Sequence, residues 1–330
     1  MAGLLLASAL AAVAFRLACG GQQPPEPVRH TRTFPAMGTM ARLVVYAPPD
    51  SAEAILNAAE GVVHDLDARL SAFDQGVLGQ LNRRGEASLE DPHLGAMVRA
   101  SDSLNRMTGG AYDPTAGGLV SLWGFPHDPA VPDGDALDSV LTLTGWLERV
   151  HLTDDSVFLV EGVRLDFGAA AKGYGADCGY AAAMEAGASA ALLEVGGEVR
   201  CGSSPGLARE WTVGIRHPRG DGLIETVRLR NGAVATSGDY ECFFISASGR
   251  RLCHIIDPTT GWPAGGAASA TVLADRCVVA DALATALVIG GEELADSLPH
   301  GLARAILMVW EEDGSTEIGR WGEWRESLSG

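Results

Sequence analysis

Apolar and polar residues alternate from Thr39 to Ala47, the period-two signature of a strand with one buried face. From Asp50 the period lengthens. Ile55, Ala59, Val62, Leu66 and Leu70 fall on one helical face, and Asp50 with Glu53 has the spacing of an N-terminal capping box. Leu94, Met97, Val98, Ser101 and Leu104 mark a second helix, closed by Gly109-Gly110. Short β segments are predicted at Arg149–Leu152 and Val157–Leu165, then a small-residue-rich helix at Lys172–Ala186 with Gly187 as its stop. Strands dominate beyond it, near 190–201, 211–216, 225–236, 242–256 and 269–274, followed by a helix at about 279–289. Further β segments lie at Ala305–Trp310 and around Ile318. Strands bunched antiparallel, with helices between them, predict an α+β fold rather than a regular βαβ series. No linker or fixed-period repeat interrupts residues 35–325, which predicts one continuous domain with two lobes.

Ahead of this body, Leu4 to Phe15 is an apolar run of about twelve residues, too short for a bilayer core of roughly 30 Å and matched to a signal-peptide h-region. Leu17-Ala18-Cys19 resembles the end of a bacterial lipobox. It implies an exported, periplasmic chain, acylated on Cys19 and held at the outer face of the inner membrane. Arg16, where an aliphatic residue is usual, and an n-region without Lys or Arg depart from that pattern. Cleavage near Ala14 is one alternative, and a buried N-terminal helix is another. Gly20–Pro27 reads as an extended tether. The expected division is a signal peptide over 1–19, a tether over 20–34 and a single domain over 35–325. No later segment reaches roughly eighteen continuous apolar residues.

Composition is ordinary for a globular chain of 330 residues, at 47% hydrophobic and 20% charged, except in its balance. With 24 Lys and Arg against 42 Asp and Glu, the formal charge is −18. Such a chain repels a phosphate backbone, which argues against nucleic acid and against a polybasic grip on lipid. An anionic ligand would have to meet positive charge supplied locally. The glycines, 42 in number, exceed the usual share of about 7% and point to many tight turns and close backbone approaches. Beyond Cys19, the five cysteines 178, 201, 242, 253 and 277 show no C-x-x-C and no zinc-ligand spacing. Cys242 and Cys253 flank a predicted hairpin within pairing reach; otherwise all five read as small buried apolar residues.

Four stretches carry candidate chemistry. Thr108–Phe125 (TGGAYDPTAGGLVSLWGF) is too rich in glycine and proline for a long regular element. It reads either as a loop whose backbone lies against a flat ring or as an irregular loop anchored by Trp123 and Phe125. Arg164–Asp177 (RLDFGAAAKGYGAD) reads as a strand ending at Phe167, a glycine turn and a helix starting near Lys172. Helix-start N–H groups and the Lys172 charge suit phosphate; plain packing with a solvated lysine is the alternative. Ala235–Tyr240 (ATSGDY) and Arg251–Pro263 (RLCHIIDPTTGWP) read as strand, hairpin and return strand, with His254 inside the β run and a turn from Asp257. A lone strand histidine is either a satisfied structural residue or a general base. In Ala280–Leu287 (ADALATAL), Asp281 and Thr285 share one helix face among apolar neighbours. A buried carboxylate there either bonds a neighbouring loop or, with the hydroxyl and a backbone carbonyl, offers hard-oxygen ligation suited to Mg²⁺ or Ca²⁺ and not zinc.

These stretches, in this order, resemble the FAD:protein FMN transferase family, also called ApbE. The resemblance also includes AMGT (Ala36–Thr39), LSAF (Leu70–Phe73), the Asn82 region and LLEVGGEV (Leu192–Val199). It implies an ApbE-like, two-lobed α+β fold with mixed, largely antiparallel sheets and FAD bound between the lobes. It further implies Mg²⁺-dependent transfer of FMN from the substrate FAD to a Thr or Ser hydroxyl of a target protein, with AMP leaving. By motif, Met37, Phe73, Ala111, Tyr112, Asp113, Asp166, Lys172 and Ile255 line the FAD site. The Ala169 carbonyl, Asp281 and Thr285 hold the metal, and His254 is the base. Phe73 stands where Tyr is common, and Glu198 where Asn or Asp is frequent. The implied targets are FMN-bearing subunits of ion-pumping redox complexes or exported flavin reductases.

Three other readings share these residues. Water in place of the acceptor hydroxyl would make a FAD pyrophosphatase. A FAD-storing lipoprotein would need no metal beside Asp281. Self-modification would use Ser269-Ala270-Thr271, which otherwise reads as a strand start.

Overall fold

The computed structural model describes residues 26–72, 76–207, 209–312 and 315–326. The N-terminal run with Cys19, and Phe73, lie outside the described residues. Strands β1 (Val28–Ala36) and β2 (Thr39–Ala47) open the described chain as a hairpin. Helix α1 (Pro49–Leu70), α2 (Val77–Arg84), β3 (Glu86–Ser88) and α3 (Pro92–Met107) follow. A 3₁₀ turn at Pro114–Ala116 leads to α4 (Gly117–Leu122), α5 (Gly134–Leu141), α6 (Trp146–Arg149), β4 (Val150–Leu152) and β5 (Ser156–Leu159). Helix α7 (Gly168–Glu185) precedes β6 (Ala190–Val195), β7 (Glu198–Ser203), β8 (Trp211–Arg216), β9 (Leu223–Leu229) and β10 (Gly232–Gly238). Then come β11 (Phe243–Ile245), β12 (Arg251–Cys253), β13 (Ser269–Ala274), α8 (Cys277–Ser297), β14 (Ala305–Glu312), β15 (Ser315–Gly322) and α9 (Glu323–Glu326).

Eight strands make one sheet in the order β1-β2-β6-β7-β10-β13-β14-β15. Every pairing in it is antiparallel and the strands follow chain order, so everything else is an insertion between neighbours. The alternation read in β2 sorts its side chains. Leu43 and Val45 join α1, α7 and α8 in one core, whereas Val44 faces the β8–β9 ribbon with Trp211 and Val227. Each such buried Leu or Val is worth about 1.5–3 kcal/mol. The long insertion between β2 and β6 builds a second, helical core around Leu66, Leu78, Met97, Trp146 and Phe167. Helices α7 and α8 belong to both cores: Ala170, Tyr174, Val278 and Ala282 face the helical lobe, and Ala176, Ala183, Leu283 and Leu287 the sheet.

Several expectations change. Residues 28–34 belong to strand β1 and not to a tether; Pro35 is tolerated because β1 is a sheet edge. Pro49 starts α1 a residue before Asp50, no side-chain cap forms, and Glu53 instead pairs with Arg32 at 2.6 Å. The strand expected over 157–165 ends at Leu159, because Gly162 turns at φ 87°. The Asn82 amide then meets the Leu165 N–H and C=O, both at 2.8 Å, in place of a partner strand. The β run at His254 stops at Cys253, so strict strand alternation does not govern His254 and Ile255. All five downstream cysteines are free. No described helix is long and apolar enough to cross a membrane.

Candidate active site at the seam of two helices

Helices α7 and α8 are locked by reciprocal bonds to two carboxylates. The Asp177 carboxylate of α7 accepts from the Cys277 and Val278 N–H groups at 2.9 and 3.1 Å, capping α8 from outside. One turn on, the Asp281 Oδ2 of α8 accepts from the Gly173 N–H of α7 at 2.8 Å. Only glycine fits at 173, since a Cβ would stand 2.4 Å from the Cys277 carbonyl oxygen. Helix geometry aims that same N–H at the Ala169 carbonyl, so the Ala169 C=O and the Asp281 carboxylate converge on one amide. Thr285, one turn beyond Asp281, bonds Ser237 of β10 at 2.9 Å.

Asp281 is 1% exposed among alanines and leucines. Burial pushes its carboxyl pKa up, opposed by Lys172 and by the Gly173 N–H. Lys172 Nζ lies 3.0 Å from Glu198 Oε1 and 3.7 Å from Asp281 Oδ1. Burial disfavours the ammonium charge, but the Asp281 and Glu198 carboxylates outweigh it and hold Lys172 charged. Burial, then the Asp281 charge, raises the Glu198 carboxyl against the pull of Lys172. Glu198 Oε2 is buried without a partner. The helix begins at Gly168, not near Lys172, and its first N–H is already taken by Asp166 Oδ1 at 2.7 Å. Lys172 is therefore an internal cation on the second turn, between two acids, rather than a free charge at a helix start.

His254 is half-buried, its ring 6.3 Å edge-on from Phe125. The Cys242 carbonyl accepts from the His254 backbone N–H at 3.0 Å and lies 3.2 Å from ring Nδ1. A carbonyl can only accept, so Nδ1 carries the proton and Nε2 the lone pair. Burial lowers the His254 pKa, with Lys172 adding to it and the Cys242 bond opposing. Asp257 has no such freedom, since Thr259 and Thr260 donate to its carboxylate at 2.6–3.0 Å.

Met37 is half-buried and touches both cores. Tyr112 turns its side chain into the helical core, its hydroxyl 3.0 Å from Ser101 Oγ and its carbonyl accepting from Asn105 at 2.8 Å. Asp113 accepts from the Thr115 N–H and hydroxyl and from the Trp146 N–H, which fixes the loop after Ala111. Ile255 packs in the sheet core and its carbonyl accepts from the Ala264 N–H. Trp123 and Phe125 are core anchors, Trp123 donating to the Gly261 carbonyl at 2.8 Å. A cleft of 480 Å³ runs between Gly109, Gly110, Asp113, Trp146, Pro258 and Thr259, joining two of the stretches singled out in the sequence. Ser269 and Thr271 are 1% and 0% exposed inside the sheet, so the faint self-acceptor reading fails on access.

Among the described residues no three His, Cys, Asp or Glu side chains converge as a cation site. One carboxylate with a hydroxyl and a carbonyl still fits Mg²⁺, which is commonly held by one or two carboxylates plus substrate phosphates. Sequence reasoning missed the Glu198 contact to Lys172, the Asp177 cap and Ser237, none of which has a local signature.

The sequence profile of the ApbE family matches residues 37–306. A FAD:protein FMN transferase of Treponema pallidum (strain Nichols) is 34% identical over 307 residues, 85% of this chain and 83% of that one. Another, from Rhodobacter capsulatus, is 34% identical over 299 residues; the match takes in 86% of this chain but 56% of the relative, little more than half its length. The crystal structure of the ApbE protein of Thermotoga maritima superposes with a TM-score of 0.79 at 33% identity, covering 91% of this chain and 99% of that chain. With the profile spanning most of its length and relatives this similar, the chain belongs to the ApbE family and has that family's α+β fold.

Proposed function

We propose that the chain is a FAD:protein FMN transferase that moves FMN from FAD to a Thr or Ser hydroxyl of a target flavoprotein. The observation that carries this reading is the buried Asp281–Lys172 seam, with Thr285 and the Ala169 carbonyl beside it, in a chain of this family. The hydroxyl oxygen forms a bond to the FMN phosphorus, the pyrophosphate P–O bond breaks, and AMP leaves. The hydroxyl proton passes to His254 Nε2. Asp281, Thr285 and Ala169 would hold Mg²⁺, which supplies positive charge against the pyrophosphate oxygens. Lys172 adds the fixed cation that a chain of charge −18 cannot provide from its bulk.

The target is a flavin-bearing redox subunit or an exported flavin reductase. We also propose export as a Cys19 lipoprotein; recovery of the chain in the membrane fraction, lost in Cys19→Ser, checks it.

The test is incubation with FAD, Mg²⁺ and the purified flavin subunit of an ion-pumping redox complex, read by in-gel flavin fluorescence. Labelling should stop with EDTA and return with Mg²⁺, and return poorly with Zn²⁺, because the donor set is all oxygen. AMP release without labelling would mean that water is the acceptor.

A further inference from the structure

The β1–β2 hairpin turns on two residues, Met37 and Gly38, between the paired Ala36 and Thr39. Both have positive φ, 52° and 72°, the type I′ geometry that favours Asn-Gly. Among the described residues Met37 is the one non-glycine in this region, where a Cβ crowds the backbone. The turn is open at Gly38, with nothing within 4 Å of a Cβ built there. The backbone therefore opposes methionine here, and three contacts hold it in place. Asp67, near the end of α1, accepts the Met37 N–H on Oδ2 at 2.7 Å. The Met37 side chain lies over Gly175 of α7, where a Cβ would meet its Cε at 2.7 Å and its Sδ at 2.9 Å. It packs on both cores, at the seam of the lobes. Strain held by its surroundings in this way marks a side chain whose placement matters more than the comfort of its backbone.

We infer that Asp67 is a positioning residue for the FAD site: it pins the strained Met37 turn so that the methionine stands at the lobe seam, over Gly175. This rests on the transferase reading, in which Met37 meets FAD. The N–H acceptance fixes the peptide plane entering the turn, and the missing Cβ of Gly175 leaves room for the thioether beside α7. Neither residue needs to touch the ligand.

The experiment measures FAD affinity by flavin fluorescence and melting temperature without ligand, on the full chain. Met37→Gly relieves the backbone strain but forfeits the side chain's packing on both cores, so melting should stay within about 2–4 °C of wild type while FAD binds about tenfold more weakly. A residue that only stabilised the fold would move both readings in one direction. Asp67→Ala should weaken FAD about tenfold, whereas Asp67→Asn, whose amide oxygen still accepts the N–H, should stay within about threefold. In the Met37→Gly background, Asp67→Ala should cost no further affinity, because it acts through Met37. Wild-type FAD affinity in Asp67→Ala, or an equal loss in both backgrounds, overturns the role of Asp67 alone. Absence of FAD binding by the wild-type chain overturns the transferase reading and this inference with it.

Discussion

Asp281→Asn is expected to abolish Mg²⁺-dependent release of AMP from FAD while the protein remains folded. Losing the one buried carboxylate of the oxygen set removes several kcal/mol of charge stabilisation, which at about 1.4 kcal/mol per decade is a fall of ~10³ or more. The fold loses little. An Asn amide oxygen still accepts the Gly173 N–H, and Lys172 keeps Glu198 at 3.0 Å. The direction of the pKa shift agrees. Burial, opposed by Lys172, raises the Asp281 carboxyl above its ordinary value of 3.8. A carboxyl raised in the folded state favours folding below that value and loses the benefit as pH rises through its folded pKa. Charging this carboxyl is thus a burden on the fold, and the melting temperature of Asp281→Asn should equal or exceed that of wild type. AMP release by chromatography and thermal melting on the same preparation check both halves. Normal Mg²⁺-dependent release would sink the assignment of this carboxylate to the metal.

Local period made the strands and helices legible. Thr39–Ala47 and 269–274 read straight from the sequence as β2 and β13, since alternation or a short β-rich apolar run is enough where one strand meets a sheet. What failed was local chemistry overruled by a neighbour: Pro49 displaced the capping box, and Gly162 broke the strand expected to reach Leu165. The site itself was legible only as motifs. Its geometry depends on contacts between distant positions, such as Asp177 with Cys277, 100 residues apart, or Lys172 with Glu198, 26 apart. No periodicity encodes these, because each is a single polar bond set by how two helices or a helix and a strand end meet. The same holds for His254. A lone histidine in a β run reads as structural or catalytic until the Cys242 carbonyl decides which ring nitrogen carries the proton.

His254→Ala is expected to lower FMN transfer by ~10²–10⁴ while FAD affinity stays within about threefold. The Cys242 carbonyl holds the tautomer with Nε2 unprotonated, and burial lowers the ring pKa below 6.5, so the base is ready at pH 7. Wild-type transfer should therefore hold through neutral pH and fall only on the acid side of 6.5, a limb absent from the variant. Stability follows the same sign. A histidine depressed in the folded state contributes fully above 6.5, and the contribution is lost as pH falls through the folded pKa. Loss of the edge-on contact to Phe125 is a packing effect of about 0.5–1.5 kcal/mol, too small to account for a hundredfold fall in rate. Transfer rate against pH, FAD affinity and melting temperature on one variant separate the roles. Near-normal transfer with a large drop in melting would make His254 structural. Asp257 would not inherit the task, since Thr259 and Thr260 already occupy its carboxylate. The acceptor hydroxyl would then react without a protein base, and the rate would rest on the charge gathered at Lys172 and Asp281.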